Sequence, residues 1–252
     1  MHTLEAPRLL YHYTTINNLA LILQSQSILF SRLDKVNDSK EGLTADFGAW
    51  APYIFVSCWT ENLHENLALW NMYTPQMRGI RIELPNPIFP MYEIGKNKNC
   101  LISEDKVVNE DKNIFILPHQ NPIYKIQYTN DSIKLNPSII KEIGFHIGEV
   151  GMYKKTIWEI ETEWRFRLNI IPIDPNIKSN NFPDRYNHLL KRREPPSISN
   201  YILPILKSSF NQMKILIGPK MQAGDIEIIE ALVKTYNPLA KFETSILSNE
   251  IR

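Results

Sequence analysis

Cysteine is almost missing from this chain, and histidine is thinly spread. The 252 residues hold two cysteines, Cys58 and Cys100, and six histidines at positions 2, 12, 64, 119, 146 and 188. Two cysteines make no disulfide framework and suit a reducing compartment. Neither HExxH nor a pair of CxxC motifs occurs, so a zinc site has no sequence support. GxGxxG after a strand and GxxxxGK[ST] are absent too, which removes the dinucleotide-fold and P-loop signatures. Ser57 lacks the GxSxG setting of a hydrolase elbow. No apolar run is long enough to span a bilayer. The start, MHTLEAPRLLYHYTT, lacks the apolar core and cleavage site of a signal peptide. A cytoplasmic protein with no membrane contact is expected. Net charge is also nearly absent, at +1, which leaves nucleic acid open because a basic patch can hide in a neutral total.

What remains is an ordinary globular composition, 43% hydrophobic and 22% charged. No internal repeat, low-complexity run or clean linker interrupts it, so one domain over residues 1–252 is expected. Strand patterns fall at Leu9 to Tyr13, Ser27 to Leu33, Tyr53 to Trp59, Gly79 to Leu84, Ile123 to Tyr128, Lys214 to Ile217 and Lys241 to Leu247. Helical spacing appears after Thr14 and Thr15 (Ile16, Leu19, Ile22, Leu23), at Leu63, Leu67 and Trp70, and from about Ala223 to Tyr236. A helix from Pro137 to Tyr153 would turn Ile139, Ile140, Ile143 and Ile147 inward, although Gly144 and Gly148 weaken it. Residues 171–200, with several prolines and the basic cluster Lys191, Arg192 and Arg193, read as a long connection or lid. Several strands follow one another without a helix long enough for a crossover. An α+β fold with mainly antiparallel sheets is therefore expected.

The most informative stretch is KTIWEIETEWRFRL, Lys155 to Leu168. In an extended strand, Glu161, Glu163, Arg165 and Arg167 share one face, while Ile160, Trp164, Phe166 and Leu168 mostly share the other. A solvated strand face is the ordinary explanation of alternating charge. The aromatic flanks and the mid-chain position point instead to partly buried acids beside arginines, the arrangement by which proteins tune a carboxylate for chemistry. His12, the Asn37/Asp38/Glu41 turn, Ser57, Trp70 and Tyr73 are further candidates. Each alone has a plain reading as core or turn, and Cys58 reads as packing.

In order along the chain, LYHYT, ND..E, SCW.E with LW..Y, G.RIEL and W..E.EWR resemble a widespread bacterial family of uncharacterised domains, with IGPKM as a weaker tail match. That family is similar in turn to ADP-ribosyltransferases, in particular the DarT-type toxins that modify DNA. The resemblance implies an ADP-ribosyltransferase-like fold of two mainly antiparallel sheets with flanking helices, and NAD as the cosubstrate. It places the catalytic glutamate at Glu163, a helper at Glu161, and Arg165 as the group that steadies them or meets a phosphate. His12, with Tyr13 and Thr14 beside it, would hold the ADP-ribose part, and Ser57 would lie near the nicotinamide ribose. Trp70 and Tyr73 complete the expected contacts, with Tyr53 as well as Tyr73 open for a tyrosine that some relatives carry. The implied role is a toxin or phage-defence effector modifying RNA or DNA, with a protein acceptor and an antitoxin partner also open. Two other readings stand beside it. One is a metal-dependent nuclease using Asp38, Glu41, Glu161 and Glu163 on Mg²⁺. The other is a non-catalytic binding module whose acidic row is structural.

Overall fold

A computed structural model of the chain describes residues 6–120, 122–142, 144–174, 176 and 190–251. Its framework is one branched sheet of eleven strands. In chain order these are β1 (Leu9–Thr14), β2 (Ser27–Arg32), β3 (Ile54–Thr60), β4 (Ile80–Pro85), β5 (Val108–Asn109), β6 (Ile114–Leu117), β7 (Ile123–Lys125), β8 (Glu163–Pro172), β9 (Asn200–Pro204), β10 (Lys214–Ile217) and β11 (Lys241–Thr244). The principal helices are α1 (Ile16–Ser25), α2 (Leu67–Tyr73) and α3 (Ala223–Tyr236). Within this sheet every pairing among the described residues is antiparallel except β10 with β11. The fold is thus mixed α+β with a large, mainly antiparallel sheet.

The branch point is β3, whose sequence IFVSCWT is apolar enough to sit at the centre. One of its edges is fully taken by β8, from Glu163 opposite Thr60 to Asn169 opposite Ile54. Its other edge is shared. β1 pairs with it only at Tyr11 and Thr60, and β2 pairs with it through Ser31–Val56 and Arg32–Phe55. From there β1 leads to β4, β10 and β11, while β2 leads to β9. The two sheets expected from the sequence are therefore two arms of one sheet, because β3 is long enough to serve both. The arms diverge beside Ser57, Cys58 and Trp59, and the cleft between them is where the site forms.

Local sequence explains the flanking elements. Thr15 caps α1 by accepting from the Asn18 amide, and Leu19, Ile22 and Leu23 form its buried stripe. Asn66 caps α2 in the same way, so that helix starts at Leu67 and leaves Leu63 outside it, 60% exposed. α3 buries Ile229 and Val233. The larger core lies on the face of β8 that carries Trp164, Phe166 and Leu168, together with Phe55, Ile82 and Phe89. A second core, with Leu33, Phe47, Trp50, Ile54, Ile139 and Val150, covers the opposite face. Consequently all ten residues of β8 are buried, the charged ones included.

Three expectations need correction. The helix expected over residues 137–153 does not form: a single bridge joins Ile140 to Phe145, and a short helix, Ser132–Leu135, precedes it. Gly144 and Gly151 take positive φ, +72° and +75°, and the segment's carbonyls turn toward two buried arginines instead of closing helical bonds. Ile139 is buried and Ile140 half exposed, while Ile143 lies outside the described residues. Glu161 is not on the strand with Glu163: it ends a 3₁₀ segment, Thr156–Glu161, after which Thr162 turns left-handed at φ +43°. Ile160 is accordingly 50% exposed and not part of the core. The last strand stops at Thr244, followed by a 3₁₀ turn, Ile246–Asn249.

Candidate functional site

A cavity of about 510 Å³ fills the cleft between the arms, and its wall includes His12, Tyr13, Thr14, Ser57, Cys58, Tyr73, Lys154, Glu163 and Arg165. A smaller extension of about 60 Å³ adds Glu161, Trp59 and Leu69. Residues far apart in sequence converge because the strands that carry them meet at the branch. β1 delivers His12 from one arm, β3 delivers Ser57 from the centre, and β8 delivers Glu163 and Arg165 from the far edge.

The charged part is a closed network. Glu163 receives the Arg165 guanidinium on one oxygen (Nε at 2.8 Å) and the Lys154 ammonium on the other (2.9 Å). The same ammonium donates to Glu161 at 2.6 Å, whose second oxygen accepts from the Tyr73 hydroxyl. Arg165 also holds Glu41 through both terminal nitrogens and donates to the Gly151 carbonyl at 3.1 Å. All five charged side chains are at least nine-tenths buried. Three carboxylates thus face two cations, leaving a formal excess of one negative charge beside the cavity.

Burial works against ionising Glu163, but Arg165 and Lys154 outweigh it and hold its carboxyl well below the usual carboxylate range. Burial wins at Glu41, which is lifted above its ordinary value in spite of Arg165 and Lys154. Burial also opposes the charge on Lys154, yet Glu163, Glu41 and Glu161 hold its pKa above the ordinary lysine value. Tyr73, raised by burial and by Glu161, stays a protonated donor.

His12 sits in the fork itself. Its Nδ1 lies 2.8 Å from the Cys58 carbonyl, and its ring lies 5.1 Å from that of Trp59. Burial pushes its imidazole below the ordinary value, so the ring is neutral at pH 7. Donation from Nδ1 to the carbonyl then leaves Nε2 as an acceptor. The Ser57 hydroxyl accepts from the Trp59 indole at 2.9 Å, which leaves its proton free to donate. Thr14 accepts from the Asn18 side chain at 2.9 Å.

Most residues expected at the site meet there: His12, Tyr13, Thr14, Ser57, Tyr73, Glu161, Glu163 and Arg165. Trp70 does not. It is fully buried, packs edge-on against Tyr13 and donates to Glu65 at 2.9 Å, so it supports the wall from behind. Tyr53 belongs to the second core and donates to the Glu194 carbonyl, so of these two tyrosines it is Tyr73 that lines the cavity. Asp38 stays in its turn, accepting from the Lys40 amide, apart from the buried carboxylates. Among the described residues no group of three or more His, Cys, Asp or Glu has the arrangement of a metal site; Glu41, Glu161 and Glu163 are engaged by Lys154 and Arg165.

Lys154 is the residue that sequence reasoning misses. It stands seven and nine positions before its two partners, and no periodicity links them. It is aimed by the parallel pairing of Tyr153–Lys154 with Gln127–Tyr128. Comparison of the chain with protein-family models, curated proteins and solved structures gives no match. Among the described residues, no helix is long and apolar enough to cross a membrane.

Proposed function

We propose that the chain is an NAD-dependent ADP-ribosyltransferase of an ADP-ribosyltransferase-like fold, with a nucleic acid as its acceptor. The observation that carries this reading is the buried, net-negative Glu163–Lys154–Glu161–Arg165–Glu41 network opening onto a cavity between two sheet arms. At about 510 Å³ the cavity lies within the size range of small-molecule and cofactor sites. Its wall offers a neutral imidazole, free hydroxyls and tyrosine rings, which suit the hydroxyls and aromatic rings of NAD.

NAD, when bound, supplies a nicotinamide–ribose bond whose cleavage builds positive charge at the ribose carbon, as glycoside hydrolysis does. Glu163 answers that charge as a fixed anion. A carboxyl held this low is a poor proton acceptor at pH 7, so its contribution is electrostatic, or a hydrogen bond to a ribose hydroxyl. Lys154 and Arg165 keep it ionised and oriented, Tyr73 orients Glu161, and His12 offers Nε2 to a hydroxyl. The Trp59 and Tyr73 side chains limit water around the reacting centre.

The reading is tested by incubating the protein with isotope-labelled NAD and RNA, DNA or cell protein, then following label into each fraction. Label in nucleic acid that depends on Glu163 supports the full reading. Label in protein alone would move the acceptor, and Mg²⁺-dependent strand cleavage with no label would replace the reading with the nuclease.

A further inference from the structure

A second cavity, of about 680 Å³, opens on the same polar face of β8, beyond Arg165. Its wall includes His119, Lys141, His146, Arg167 and Asn169, with Glu149 as the one carboxylate among its lining residues. Arg167 is 1% exposed and pairs with no carboxylate among the described residues. Its Nε and one terminal nitrogen donate to Asn169 Oδ1 (2.9 and 2.7 Å), and the remaining bonds go to the carbonyls of Ile147, Gly148 and Val150. All these acceptors are neutral. They satisfy the guanidinium's hydrogen atoms and leave its charge uncompensated. Burial, with Arg165 adding to it and Tyr124 working against it, pulls the Arg167 pKa down.

A buried cation without a counterion, walled by two histidines and a lysine, is half of an ion pair. We infer that this cavity binds a phosphate group, and specifically a backbone phosphate of the nucleic-acid acceptor, an assignment that rests on the function proposed above. Lys141 and His146, both exposed, are the direct donors, with half-buried His119 beside them, while Arg167 supplies the field behind them. Arg167 follows Glu163 by four strand residues, about 13 Å along β8. A strand held here by a phosphate would be anchored a few nucleotides from the one at Glu163. The Asn169 amide, turned away from Arg167, provides a further donor on the cavity wall.

The test needs no turnover. Fluorescence anisotropy of a labelled single-stranded oligonucleotide, without NAD and across a salt series, compares the wild type with a Lys141→Glu/His146→Glu double variant. Both positions are exposed, and a thermal melt checks the fold. The expected result is binding that weakens roughly tenfold in the variant, with a salt slope smaller by about one. Equal affinity and slope in the two proteins would overturn the assignment. Competition by inorganic phosphate distinguishes the source of the anion: phosphate binding without oligonucleotide binding would also overturn it. If oligonucleotide binds here and NAD is never cleaved, the cavity assignment survives and the catalytic reading falls.

Discussion

The Glu163 end and the Arg167 end of β8 are equally buried and differently balanced. At the first, three carboxylates surround two cations and every carboxylate has a charged partner. At the second, one guanidinium is held by neutral oxygens alone. Three charged side chains along one strand face, Glu163, Arg165 and Arg167, with the partners that Lys154, Glu161 and Glu41 supply from other elements, therefore sit in opposite fields some 13 Å apart. Hydrogen-bond satisfaction and charge compensation are thus separate requirements. Burial enforces the first everywhere, and a site can leave the second unmet where a ligand is to supply it.

The largest effect expected is at the shared cation. Lys154→Met leaves buried Glu161 with no cation and Glu163 with Arg165 alone, and a loss of about 3–5 kcal/mol is expected in a denaturant titration. Arg167→Met removes a charge that has no counter-charge, so its cost is that of the orphaned acceptors, about 1–3 kcal/mol. A larger loss at Arg167 than at Lys154 would break the contrast between the two ends.

Acid titration sharpens it. Glu163 has a depressed folded pKa, so the unfolded chain binds more protons and the native state loses stability as pH falls from 4.5 toward about 2. The Glu163→Gln variant should lack that part of the acid loss. Glu41 has the opposite sign: its raised value gives stability that is present below 4.5 and lost as pH rises through its folded value. Glu41→Gln should therefore flatten stability on the neutral side of 4.5, as measured by unfolding midpoints against pH. The smallest effect belongs to the surface. Arg192→Ala opens an exposed pair with Glu194, and its unfolding midpoint should match that of the wild type.

Much of this was legible in the sequence. Apolar runs located β1, β2, β3, β4 and β10, and the E-T-E-W-R-F-R alternation marked the face that carries Glu163, Arg165 and Arg167. Two features were hidden for physical reasons. Alternation cannot see the left-handed turn at Thr162, which puts Glu161 on a separate element and still brings it to the same ammonium. Isoleucine spacing over 137–153 imitates a helix, whereas the backbone there serves Arg165 and Arg167 with carbonyls. Lys154 carried no pattern, since its position depends on a pairing between distant two-residue strands. The joining of two sheets into one likewise depends on how β3 divides its free edge between β1 and β2, which no local pattern encodes.

The most direct measurement is free nicotinamide, separated chromatographically after the purified protein is incubated with NAD and the acceptor fractions, beside a folded Glu163→Gln variant. Release by the wild type is expected, with a fall of at least about a hundredfold in the variant, the scale on which one fixed electrostatic group acts. Equal release by both proteins, or none from a folded wild type with any acceptor, would contradict the catalytic reading.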